Sequence, residues 1–226
     1  MESLMTMTSR SFHLVLTALT LSLMSPALVA GGSNSNLSEE GMELVNKTRH
    51  GEVQVRPDAN WGNYTQILLE PATVEFRKNW ARDQKNRNGN RPTEAGMNRI
   101  KSDLTELVDE VFRQELTKDN AYTIWMSRAE NVLLITPRIV NLDVVAPDRM
   151  RDHIGYSLTD SQGSMTLELD IYDSVSGTLL ARMTDSRMDP HKGYMEWTTT
   201  VTNQRAARFM LIRWAVKLRE WLLDAR

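Results

Sequence analysis

Residues 165–185 read MTLELDIYDSVSGTLLARMTD. Met165, Leu167, Leu169 and Ile171 alternate with Thr166, Glu168, Asp170 and Tyr172. Successive side chains of a strand point to opposite faces, so a period of two describes a strand with one buried and one solvated side. Asp173-Ser174-Val175-Ser176-Gly177 follows. Asp and Ser hydrogen-bond their own backbone and Gly takes positive φ, so these residues turn the chain. Leu179, Ala181 and Met183 then alternate back along a second strand. A sheet with one apolar face must be covered, and the flanking sequence supplies two covers.

On the N-terminal side, Met97, Ile100, Leu104, Leu107, Val108, Val111, Phe112 and Leu116 recur at spacings of three and four. That is one apolar stripe along a long helix. Thr93 is its N-cap, Glu94 sits near the positive end of the helix dipole, and Lys118-Asp119-Asn120 closes it. After the hairpin, a second helix is expected over 199–223. Its stripe is Val201, Ala206, Phe209, Met210, Trp214, Leu218, Trp221 and Leu222, flanked by arginines and lysine. Further strands are expected over 61–76, 121–126 and 131–145, the last two joined as a hairpin through 127–131. Pro71 and Pro137 lack an N–H, so each marks a bulge or an edge position. The fold class is α/β (α+β): one domain over 61–226, a mixed sheet of about five strands with two long helices on one face.

Composition narrows the functional classes. With 41% hydrophobic and 25% charged residues, the 226-residue chain is of ordinary globular type. A formal net charge of -2 gives no overall attraction to nucleic acid. The chain has no Cys, which excludes disulfides, thiolate catalysis, Cys-bound zinc and lipidation on Cys. Residues 1–30 hold Arg10, an apolar run from Phe12 to Met24, then Pro26 and small residues. This is the layout of a secretory signal peptide, with an apolar core short for a membrane span. The expectation is a periplasmic or secreted protein without a lipid anchor. Residues 31–60 contain GGSNSN and no sustained apolar period, so a flexible polar linker is expected there.

Tyr64-x-x-Ile67-x-Leu69-x-Pro71, then Trp80, then Leu167-Glu168-Leu169 through Asp173-Ser174 and Gly177 to Asp185, then Trp214-Ala215 and Leu218-Arg219, stand in a distinctive order. From about residue 61 to the C-terminus this order resembles the bacterial envelope family known as domain-of-unknown-function family 3313. Its members are mostly described as lipoproteins. The resemblance implies an envelope location and carries no catalytic residues to transfer. A lipoprotein needs a Cys after its signal, and this chain departs from the pattern there.

The residues yield no catalytic set. His13, His50, His153 and His191 stand apart, without HExxH spacing, so no metal site is expected. No GxSxG elbow, Walker A loop or GxGxxG occurs, and no cofactor is expected. Glu168 and Asp170 share a sheet face and could serve as a glycosidase pair; the polar side of an alternating strand also accounts for them. The anomalous stretch is 77–91, RKNWARDQKNRNGNR, read as a charged loop with six cations against Asp83. Arg82, Lys85, Arg87 and Arg91 are the candidate contacts to an anionic surface, with Trp80 either a stacking contact or part of the core. Trp214 and Trp221 lie one heptad apart, as core or as a partner face. The sequence therefore points to a non-catalytic binding or scaffolding component of the cell envelope. Its partner would be another envelope protein or an anionic surface such as peptidoglycan or lipid head groups, not nucleic acid. The alternative is a hydrolase acting on cell-wall or carbohydrate substrates through carboxylates.

Overall fold

The computed structural model describes residues 38, 40–88, 91–144, 158–159, 163–188, 196–197 and 200–226, with only the backbone of 87–88, 158–159, 196–197 and 200–203. The expected signal peptide and the residues His13, His153 and His191 lie outside them. In chain order the elements are β1 (Glu43–Lys47), β2 (Gly51–Val55), β3 (Gln66–Leu69), β4 (Thr73–Phe76), α1 (Trp80–Asn88), α2 (Glu94–Leu116), β5 (Thr123–Ile124), β6 (Val132–Val144), β7 (Leu158–Thr159), β8 (Gly163–Asp173), β9 (Leu179–Met188), β10 (Glu196–Trp197) and α3 (Thr200–Asp224). Eight strands form one mixed sheet in the order β1-β2-β9-β8-β6-β3-β5, with β4 also paired to β6; β7 and β10 form a separate two-stranded ribbon.

The quoted hairpin is the middle of this sheet. β8 and β9 pair antiparallel with Leu169 opposite Met183, and Gly177 closes the turn at φ +70°. Met165, Leu167, Leu169 and Ile171 are buried in one core with Val108 and Phe112 of α2 and Leu211 and Trp214 of α3. α2 starts as the capping chemistry requires: the Thr93 side chain accepts the Gly96 N–H. The opposite sheet face is polar. There Arg182 meets Asp170 at 2.8 Å and Glu40 at 2.7 Å, and Arg138 meets Glu168 at 2.9 Å.

Several expectations are corrected. Residues 31–60 are not a linker throughout, because β1 and β2 add to the sheet, β2 pairing antiparallel with β9. The expected strand over 61–76 is a helical turn at Trp61–Asn63 and two short strands parted at Pro71. The segments 121–126 and 131–145 do not pair with each other. β3 lies between β5 and β6 and runs parallel to both. Pro137 lies neither at an edge nor in a bulge, but in the interior of β6 opposite Leu169. Residues two apart in a strand turn their polar groups to the same side. The Ile135 carbonyl accepts the Glu70 N–H, so the ring nitrogen of Pro137 faces the gap between the pairs Leu69–Ile135 and Thr73–Arg138. The missing donor falls where β3 has ended and β4 has not begun.

On α3, Phe209 is exposed while Leu211 and Ala215 are fully buried. The buried stripe is therefore rotated from the expected one, and Val201 has no described side chain.

Candidate anionic-surface site

The stretch 77–91 is not a loop; most of it is α1. Its composition gives no apolar stripe, yet two residues one turn apart hold it down. Asn79 adopts φ +66°, a left-handed conformation Asn tolerates, and its carbonyl accepts the Asp83 N–H. The Trp80 ring stacks on Phe76 at 4.1 Å between centroids and 18° between planes. Its indole N–H donates to the Val144 carbonyl at 2.8 Å, and Gln84 donates to the same oxygen at 3.2 Å. Trp80 is 1% exposed and Gln84 fully buried. Trp80 is thus committed to the body of the protein, so of its two readings the core one holds and the stacking contact for a partner does not.

Charge anchors the other side. The Arg77 guanidinium meets Asp83 at 2.6 Å and Asp143 at 2.7 Å. Hydrogen bonds to these two carboxylates push the Arg77 pKa up, and the hydrogen bond from Arg77 holds Asp83 below the usual carboxylate range. Asp143 stands at the end of β6, so sequence order gave no sign that it faces Arg77. Lys101 of α2 lies 5.9 Å from the Phe76 ring centroid, completing the junction of sheet end and two helices.

What remains outside is basic. Arg82 is 66% exposed, with Asp83 at 3.3 Å as its ion-pair partner. Lys85, three residues on and so a neighbour on the helix surface, is exposed, as is Arg91 beyond the helix end. Among the described residues neither Lys85 nor Arg91 pairs with an acid. Arg87 belongs to α1, but its side chain is outside the description. The structure thus brings Arg82 and Lys85 together on one rigid element and leaves Arg91 in the following segment.

The other candidates resolve differently. Glu168 and Asp170 share the polar sheet face, and each is ion-paired with its own arginine. His50 is exposed in the β1–β2 turn, where its carbonyl accepts the Ser186 N–H. Trp214 is buried and donates to Asp185 at 2.8 Å; Trp221 packs edge-on against Trp61 at 4.9 Å. A cleft of about 440 Å³ between α2 and α3 is lined by Asp103, Glu106, Glu110, Arg205 and Arg208, with Leu107 its apolar wall. Five of its lining side chains are charged, of both signs, and no bound group is needed to explain that pairing across the two helices. Among the described residues no group of three metal-ligating side chains gathers, and no helix is long and apolar enough to cross a membrane.

Residues 35–218 match the family described as protein of unknown function, DUF3313. The chain belongs to the DUF3313 family. The match begins upstream of the 61–226 stretch that carries the sequence resemblance, and it takes in β1 and β2. No curated protein matches this DUF3313 member. Similar solved structures include the PelC dodecamer from Paraburkholderia phytofirmans, at 9% identity over 75% of this chain and 97% of that one, TM-score 0.38. The hypothetical protein CT253 from Chlamydia trachomatis shares 10% identity over 71% and 99%, TM-score 0.37. Protein XCC0632 from Xanthomonas campestris shares 13% over 75% and 90%, TM-score 0.36. These likenesses are too distant to transfer any residue's role to the DUF3313 chain.

Proposed function

We propose that this DUF3313 protein is an exported, non-catalytic domain of the cell envelope that docks on an anionic lipid surface through the outer side of α1. The observation that carries this reading is the division of labour on α1. Trp80, Gln84 and Arg77 hold the helix from beneath, whereas Arg82 is largely exposed with Asp83 beside it, and Lys85 and, past the helix end, Arg91 pair with no acid among the described residues. Like charges gathered on one short segment repel, and fold stability supplies no reason to collect them. An anionic surface relieves the repulsion and attracts the domain over about a Debye length, ~8 Å at physiological salt. Each cation near such a surface contributes about 1 kcal/mol. The hydrolase alternative finds no support in Glu168 and Asp170, because both are bound to arginines.

Replacing Arg82, Lys85, Arg87 and Arg91 with Gln tests the docking. The melting temperature should stay near wild type, while binding to anionic phosphatidylglycerol vesicles falls sharply. Wild-type binding should weaken as salt rises. Equal binding by both proteins, or none by either at low salt, would sink the proposal; retention on cell-wall sacculi alone would move the site to a different polymer. Export has its own check: mass spectrometry of the protein from cells should find an N-terminus between Leu28 and Ser33. Recovery of intact Met1 from the inner membrane would make the apolar run an anchor.

A further inference from the structure

α3 has two apolar sides. Its buried side, Ala206, Met210, Leu211, Trp214, Ala215, Leu218 and Leu222, faces the core. At about 100° per residue, Phe209, Ile212, Val216 and Leu223 fall within one narrow arc on the opposite side. Phe209 is 48% exposed, Ile212 38% and Leu223 41%, with Val216 half-buried. A surface helix normally keeps one apolar stripe, and the spacing of three, four and seven is that of a helix-packing seam. Water alone does not account for a second seam.

The charges beside the seam name the occupant. Arg213 and Glu220 are both exposed, stand one heptad apart on the same flank, and have opposite signs. Arg213 also lies over the Phe209 ring at 5.6 Å. A helix lying on anionic lipid would carry cations throughout this rim, whereas Glu220 interrupts it. A two-fold axis has a different consequence. If α3 packs antiparallel on an identical helix about the level of Val216 and Lys217, Arg213 faces Glu220 of the second copy, and Glu220 faces Arg213 of the second copy. The same register sets Ile212 within about 3 Å, two residues along the axis, of the level of Leu223 of the second copy, close enough for their side chains to meet across the seam. An isologous interface requires this self-complementarity, in which one contact serves twice.

We infer that the outer face of α3 is a homodimer interface, a two-fold antiparallel helix pair centred near Val216. The inference is independent of the docking role given to α1.

The absence of cysteine from the chain allows a clean test. In the full chain carrying Ile212→Cys and Leu223→Cys, the two thiols of one helix are about 16 Å apart, beyond disulfide reach of about 7 Å between Cα atoms. Oxidation in the envelope should therefore yield a disulfide-linked dimer at twice the chain's mass, whereas either single-Cys chain should yield little. Arg213→Glu should abolish the crosslink by placing like charges together, and Arg213→Glu with Glu220→Arg should restore it. A double-Cys chain that stays monomeric, or that crosslinks to a different protein or not at all, overturns the inference. So does a crosslink indifferent to Arg213→Glu, or one that the charge exchange fails to restore.

Discussion

Asp173 concentrates more of the fold's demands than its place in a turn suggests. One carboxylate oxygen accepts the N–H groups of Val175 and Ser176 at 3.1 and 2.6 Å; the other accepts the Tyr64 hydroxyl at 2.9 Å. Burial raises the Asp173 pKa, and the hydrogen bonds from Ser176, Tyr64 and Val175 outweigh it, leaving the carboxyl below its ordinary range. Tyr64 is pushed up to about 12, first by burial and then by its bond to Asp173 and the charge there. The signs differ. A depressed Asp173 stabilises the fold above the unfolded carboxylate pKa, about 3.9, and this is lost as pH falls through the lower folded value. A raised Tyr64 stabilises below about pH 10, and this is lost as pH climbs toward its folded value. Asp173→Ala should cost about 1–3 kcal/mol at neutral pH, since it strands the hydroxyl of buried Tyr64 and removes the acceptor that holds the two turn N–H groups. Thermal melts across pH should show that deficit shrinking in acid; a deficit constant down to pH 2 would mean the carboxylate's charge is irrelevant. The turn was legible in the sequence as Asp-Ser-Val-Ser-Gly. Its tie to Tyr64, 109 positions away, was not, because hydrogen bonding across the sheet leaves no trace in local spacing.

At the scale of elements, α1 is the clearest case of structure without a sequence period. Nothing in WARDQKNRN marks a helix face, and the two residues that bind it down, Trp80 and Gln84, differ in polarity. Trp80→Ala should remove the stack on Phe76 and the bond to Val144, at a cost of about 3–5 kcal/mol. The loss should be local first. Hydrogen exchange should accelerate across 80–88 while β8 and β9 keep their protection, because opening free energies differ between parts of a fold. Equal acceleration in both places would show that α1 is part of the global folding unit. The long periodic elements β8 and α2 were legible, because they carry enough buried side chains for the period to show. The expected alternation of Leu179, Ala181 and Met183 on β9 was not kept, because a bulge opposite Ile171 and Tyr172 puts Leu180 beside Ala181 in the core. β1 and β2 were not. Every residue of β1 is exposed, and β2 offers only Val53 and Val55, too few for alternation to stand out. The mistaken 121–145 hairpin has a similar cause. Sequence neighbours joined by a short turn usually pair, but here β3 takes the place between them, and parallel pairing carries no local signature.

For the whole molecule, the sequence suggested one mixed sheet with long helices packed on it, but began the domain at 61 and so left out β1 and β2. It could not say which side of α3 the core would take. Phe209 and Leu211 are both apolar and two residues apart, so they lie on nearly opposite sides, and only the packed structure assigns Leu211 to the core. That choice leaves the outer seam free and links the two proposals. On the proposed docking role, one basic patch of exposed Arg82, Lys85 and Arg91 would bind weakly. A two-fold pair would present two patches, and the second contact becomes intramolecular, which can raise avidity by on the order of 10²-fold when geometry allows both to engage. Ile212→Ser keeps every cation of α1 and lies on the exposed side of α3, so it should neither unfold the domain nor alter the patch. It should weaken dimerisation, lower binding to anionic vesicles well below wild type, and flatten the dependence on salt, because fewer charges engage together. Restoring the pairing artificially, by fusing a short dimeric coiled coil to the C-terminus, should recover the lost binding. If Ile212→Ser is monomeric yet binds vesicles as wild type does, each domain docks alone and the two surfaces serve separate ends.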